Sequence, residues 1–133
     1  MKNDSMQEAI FAPILYSTNV AWAIEFYTKA FGAKELRRWS NDDGSVHVAE
    51  MTIGTTLFHL HEEVPRCSEL SPKTLGGTPV IIGLFVADPD SIMAKALAAG
   101  ATETNAMQDY DYGYRQGSVT DPFGHHWTFQ KTI

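Results

Sequence analysis

One order of sequence signals runs through this chain twice, and that repetition restricts it to folds built from two copies of a small unit. In the first half, residues 11–16 form a short apolar run that reads as a strand. Ser17-Thr18-Asn19 follows, with short polar side chains that can accept hydrogen bonds from free helix amides. From Val20 the spacing turns helical. Trp22, Phe26 and Ala30 recur at i, i+4, and Ala23, Tyr27 and Phe31 repeat that spacing beside them. Such a helix carries one aromatic face into a core. Gly32 stops it, because glycine enters the left-handed conformation without a Cβ clash. Strands are expected over residues 33–39, 45–53 and 56–62, with turns at Asn41-Asp42-Asp43-Gly44 and Gly54-Thr55.

The second half repeats the order. Residues 80–86 read as a strand, and Asp88-Pro89-Asp90 opens a helix with proline where a missing amide costs nothing. Ile92, Ala96 and Ala99, flanked by Met93 and Leu97, form its apolar stripe, and Gly100 ends it. Strands are expected over 102–107, 116–120 and 125–131. Asp121-Pro122-Phe123-Gly124 has the residue order of a type I turn. Ile24, Gly32 and Ala33 each lie 68 residues before Ile92, Gly100 and Ala101. The expectation is one α+β domain over residues 1–133, made of two βαβββ modules at about 10–62 and about 79–131. A linker of about 63–78 joins them, where Pro65, Pro72 and Gly76-Gly77 break any periodicity. Paired copies of one unit leave a cleft between them, and such clefts are preferred ligand sites.

Charge and cysteine usage narrow the function. Ten basic against sixteen acidic residues give a formal charge of −6, which argues against a nucleic-acid partner, since phosphate binding needs a basic surface. A neutral or cationic small molecule fits better. The lone Cys67 permits neither an internal disulfide framework nor a cysteine-rich zinc site. Residues 1–9 contain no apolar run that would mark a signal peptide, and no segment is long and apolar enough for a membrane span. The expected location is the cytoplasm, with no membrane partner.

Two runs carry a family resemblance: Ala23-Ile24-Glu25-Phe26-Tyr27-Thr28-Lys29-Ala30-Phe31-Gly32 in the first module, and Gly117-Ser118-Val119-Thr120-Asp121-Pro122-Phe123-Gly124-His125-His126-Trp127 in the second. Together they resemble the vicinal oxygen chelate superfamily of glyoxalase I, bleomycin-resistance proteins and extradiol dioxygenases. The second run looks most like its PhnB-like branch. The resemblance implies a glyoxalase/bleomycin-resistance/dioxygenase-type fold, an intermodule cleft and a homodimer. It also implies four metal-ligand positions, two per module, which by counting fall on Ala12, His59, Ile81 and Thr128. Alkyl side chains cannot coordinate, and one histidine does not hold a catalytic metal. The usual metal is therefore expected to be absent, and no cofactor is expected.

Other constellations remain open. His59 and His61 share one face of a strand, and His126 and Thr128 share one face of another. If His59, His61 and His126 converge, three imidazoles suit zinc or iron; otherwise they line a wet pocket. Glu50 either points inward as a desolvated base or pairs with Arg37 or Arg38. Tyr110, Tyr112, Tyr114 and Arg115 form either a ligand-stacking wall with a charged donor, or a packing surface with Arg115 paired to Asp109, Asp111 or Asp121. Trp39 either caps the cleft or joins the core, while Trp127 lies opposite His126 and packs under a helix. The leading expectation is a protein that binds a small aromatic or cationic molecule in its intermodule cleft without the usual metal, using Trp39, Glu50, His59, His61, Tyr112, Tyr114, Arg115, His126 and Thr128. The alternative is a metal-dependent lyase or dioxygenase with a rearranged site at His59, His61 and His126. The sequence does not decide whether the protein is an enzyme.

Overall fold

A computed structural model describes residues 8–133, so most of the stretch read as lacking a signal peptide lies outside the described residues. The two modules are present. Module one is β1 (Ile14–Ser17), α1 (Val20–Phe31), β2 (Lys34–Ser40), β3 (Val46–Ile53) and β4 (Thr56–Glu62). Module two is β5 (Ile81–Phe85), α3 (Pro89–Ala98), β6 (Thr102–Asp109), β7 (Tyr114–Thr120) and β8 (His126–Thr132). Each builds a four-stranded sheet with the same order, β1-β4-β3-β2 and β5-β8-β7-β6. The first strand of each module runs parallel to the last, and all other pairs are antiparallel.

Local chemistry explains the boundaries. Asn19 caps α1 by accepting from the Trp22 amide at 3.0 Å, and Gly32 ends it with φ 66°. Asp88 caps α3 by accepting from the Ser91 amide. The first strand is shorter than its apolar run, because Pro13 has no amide to donate; its carbonyl accepts from the His59 amide at 2.9 Å. Between the modules lie a 3-10 turn, Pro65–Cys67, and a short helix, α2 (Pro72–Leu75). Ser71, fully buried, donates to Glu63 at 2.7 Å and holds this segment down.

The core sits where the helices of the two modules meet, since α1 packs on α3. Phe26, Tyr27, Phe58, Trp127 and Phe129 are essentially fully buried there. Phe31 contacts Trp127 at 4.7 Å and Phe129 at 5.5 Å between ring centres, so the aromatic face of α1 reaches across to module two. Each such ring contributes roughly 2–3 kcal/mol by leaving water. Trp22 departs from the expected aromatic face. It remains 48% exposed and meets Phe123 edge-on at 4.9 Å, because it lies at the rim where α1 passes the turn after β7.

One buried carboxylate ties the modules together. Asp121 accepts from the Phe123 amide at 2.9 Å, the His125 amide at 3.0 Å, the Trp127 indole at 2.8 Å and the Tyr27 hydroxyl of module one. Burial, with Asp121 beside it, pushes the Tyr27 hydroxyl well above its ordinary pKa. His125 adds a second tie by donating from Nε2 to the Tyr16 carbonyl at 2.9 Å.

Candidate functional site

Strand alternation divides every sheet residue between the shared helix layer and an open face. In sheet one, Leu15, Ala49, Met51, Phe58 and Leu60 are the buried, helix-facing set. The cross-strand register then places two rows on the open face. One runs Trp39–Val48–His61–Tyr16, the other Arg37–Glu50–His59–Ile14. Trp39, Glu50, His59 and His61, four of the residues chosen from sequence, are thus brought together.

Glu50 is paired. Its carboxylate accepts from Arg37 Nε at 2.6 Å, as one sequence alternative had it, and the Arg37 guanidinium lies 4.6 Å over the Trp39 ring. Glu50 Oε2 is also 3.4 Å from His59 Nε2, a buried atom with no hydrogen-bond partner. His59 and His61 stack with centroids 6.1 Å apart, and Tyr16 lies 5.4 Å from His61. Burial lowers the His61 pKa below its ordinary 6.5, and the imidazoles of His59 and His47 push the same way. A histidine depressed on folding stabilises the chain fully above pH 6.5, and that contribution is lost as pH falls through the folded value. Replacing His61 by phenylalanine should therefore flatten the fall in urea midpoint as the pH drops below 6.5. An unchanged acid slope would show that His61 does not titrate differently on folding.

The open face of sheet two is built from three rows: Ile81–His126–Thr120, Gly83–Thr128–Ser118 and Phe85–Gln130–Gln116. Each row carries its own side-chain hydrogen bond. Thr120 bonds His126 Nδ1 at 2.9 Å, Ser118 bonds Thr128 at 2.9 Å, and Gln116 donates to Gln130 at 2.5 Å. Aromatic rings stand at one end. Phe85 meets Tyr114 edge-on at 5.6 Å, Tyr114 meets Tyr112 at 5.9 Å, and Tyr112 stacks on Tyr110 at 5.1 Å. Tyr112, Tyr114, His126 and Thr128 therefore share a face.

Arg115 is not brought to that face. It alternates to the helix side, where its guanidinium grips Asp90 through Nε at 2.8 Å and Nη2 at 2.7 Å, and Asp109 through Nη1 at 3.0 Å. These carboxylates raise its already high pKa further. Sequence reasoning missed Gln116, Ser118, Thr120 and Gln130. The period of two that selected His126 and Thr128 extends directly to Gln130, so the signal was available.

A cleft of about 980 Å³ does separate the modules, along the edges of β1 and β5. Its walls are mainly apolar, formed by Phe11, Ile14, Phe58, Ile81, Phe85 and Trp127 among others, with Thr55, Thr56, Thr78 and His125 as polar exceptions. None of the nine residues chosen from sequence lines it. The two open faces turn away from the shared helix layer, so His59 and His61 lie on one sheet and His126 on the other. The convergence of three imidazoles that the alternative reading needed is not met: among the described residues no three His, Cys, Asp or Glu side chains are grouped to hold a metal ion. The positions implied by the resemblance do not fit one either. Ala12 and Ile81 offer only alkyl groups, and the Thr128 hydroxyl is engaged with Ser118. No helix among the described residues is long and apolar enough to cross a membrane.

The profile of the Glyoxalase/Bleomycin resistance protein/Dioxygenase superfamily matches residues 10–129. The chain belongs to that superfamily. Its relatives include an uncharacterized protein of Mycobacterium bovis, 41% identical over 129 residues, covering 95% of this chain and 85% of the relative. Among solved structures, TioX from Micromonospora sp. ML1 superposes with a TM-score of 0.75 at 25% identity, covering 95% of this chain and all of that one. The At5g48480 gene product of Arabidopsis thaliana gives 0.73 at 29% identity, covering 92% and 98%. The fosfomycin resistance protein FosX of Listeria monocytogenes gives 0.74 at 14% identity, covering 96% of each chain, a likeness of fold alone. The glyoxalase-type fold is thus seen in the sheet order and in the superpositions.

Proposed function

We propose that this member of the superfamily binds a small aromatic or cationic molecule without the usual metal. One observation carries the reading: the aromatic edge of Phe85, Tyr112 and Tyr114 beside a hydrogen-bonded polar floor on an open sheet face. Such a face offers stacking and hydrogen bonds but no electrophile or metal set. Binding needs no reacting group, which agrees with the residues at Ala12, Ile81 and Thr128. The run Asp121-Pro122-Phe123-Gly124-His125-His126-Trp127 supports a place in the PhnB-like branch. A single exposed thiol, Cys67, is compatible with a reducing cytoplasm.

We further propose that a second copy completes the site. Sheet one of one chain and sheet two of another supply the opposing walls. The edges of β1 and β5 expose Ile14, Val80 and Ile81 at 54%, 59% and 66%, an apolar seam that a partner would cover.

The test of binding is a thermal-shift screen of naphthalene and indole derivatives, followed by calorimetric titration of the hits. A Tyr112→Ala/Tyr114→Ala double variant should bind about tenfold or more weakly, since each ring contributes roughly 0.5–1.5 kcal/mol beyond its burial. Hits that bind the double variant equally well would remove the site from sheet two.

A further inference from the structure

We propose that Gln130 selects the ligand, and that the ligand is an uncharged planar aromatic molecule carrying a carbonyl-type acceptor. This rests on the binding reading above and narrows it from aromatic or cationic to aromatic and neutral.

The argument starts from the direction of one hydrogen-bond chain. The Tyr112 hydroxyl donates to Gln116 Oε1, and Gln116 Nε2 donates to Gln130 Oε1 at 2.5 Å. Both carbonyl oxygens are thereby used, and the amide of Gln130 is turned with Nε2 away from Gln116 and toward β5. That nitrogen lies over Gly83: a Cβ built at Gly83 would stand 2.9 Å from it. Gly83 is in β5 and does not have a left-handed φ. Glycine here supplies space for the amide rather than backbone freedom. Gln130 is only 9% exposed, so its side chain is held by packing as well as by Gln116.

The surroundings define what the donor meets. The three rows across this face, extended to the edge strand, add Thr102, Asn105 and Gln108, and contain no carboxylate or ammonium group. Asp90 and Asp109 share the one guanidinium of Arg115 on the helix side, away from this face. A cation bound over these rows would meet no carboxylate in them and would face the Gln130 amide hydrogens; the acids lie at the margins, Asp111 beside Tyr112 and Glu50 on the proposed opposing wall, where Arg37 already holds it. A carbonyl acceptor on a ring stacked against Phe85 and Tyr114 would meet those hydrogens directly. Ser118 and Thr128 are engaged with each other and offer only their remaining valences.

Three matched probes test this by fluorescence titration of the full chain: 2-naphthamide, 2-methylnaphthalene and 2-naphthylmethylammonium. The amide should bind about tenfold tighter than either other probe, the scale of one well-placed hydrogen bond. Gln130→Leu should shrink that preference to about threefold or less, with the methylnaphthalene affinity changed by less than about twofold. Gly83→Ala is the second variant. Its Cβ displaces only the Gln130 amide, so it should have the same effect should Gln130→Leu fail to fold. Equal affinity for amide and methyl probes, or tightest binding of the ammonium probe, overturns the role of Gln130. If the Tyr112→Ala/Tyr114→Ala variant still weakens all three probes, the aromatic site itself survives that result. No binding by any probe overturns both readings.

Discussion

Replacing Asp121 by alanine is expected to cost about 4 kcal/mol of folding stability, the largest effect of any single substitution considered for this chain. The carboxylate is 2% exposed and accepts four hydrogen bonds, from two amides of its own turn, the Trp127 indole and the Tyr27 hydroxyl. Alanine leaves all four donors without partners in a place water cannot easily reach. Each orphaned donor costs about 1–3 kcal/mol, and the costs are not additive because the turn can relax. A typical domain has about 5–15 kcal/mol in total, so the variant should be marginal at 37 °C. Tyr27→Phe removes one donor and leaves three, and should cost about 1–2 kcal/mol. Urea unfolding followed by tryptophan fluorescence measures both. An Asp121→Ala midpoint near that of the unsubstituted chain would mean that the turn, rather than the carboxylate, joins the modules.

If two copies pair as proposed, charging the exposed seam should separate them. With Ile14→Asp and Ile81→Asp together, the dimer dissociation constant should rise by at least about 100-fold, because burying an unpaired carboxylate in an apolar contact costs several kcal/mol. Both side chains are more than half exposed in the single chain, so the fold itself should tolerate them. Sedimentation equilibrium of both proteins gives the answer. A monomer at all concentrations before substitution would sink the two-chain site. A dimer untouched by the double substitution would move the interface elsewhere. If the interface is as proposed, the Tyr112 and Tyr114 wall should also lose affinity for its ligand in the charged variant, since the opposing sheet is gone.

Much of the fold was legible because it is encoded locally. The i, i+4 apolar spacing of Phe26 and Ala30, the caps at Asn19 and Asp88, and the stop at Gly32 act over one or two helical turns. Alternation along β4 and β8 likewise put His59 with His61, and His126 with Thr128, on shared faces. Trp127 went under the helices as its parity required. The site was less legible. Arg115 was offered either to the tyrosine wall or to a nearby aspartate; its parity gives it Asp109, as the second alternative had it, and also Asp90, on a helix 25 residues earlier. Nothing in the chain near Arg115 announces that partner.

By itself, then, the sequence determined the two modules, their α+β order and which residues share a strand face, since periodicity and capping are properties of neighbouring residues. It could also show that Ala12 and Ile81 are unfit to ligate. Only the tertiary structure decided that the helices of the two modules pack together around Tyr27, Asp121 and Trp127. That packing turns both open sheet faces outward, so His59 and His61 part from His126, and the cleft between the modules is lined by apolar side chains. The physical reason is that burying the aromatic face of α1 against the aliphatic face of α3, Met93 and Ala96, leaves the sheets no second covering within one chain, a global choice that no local pattern encodes.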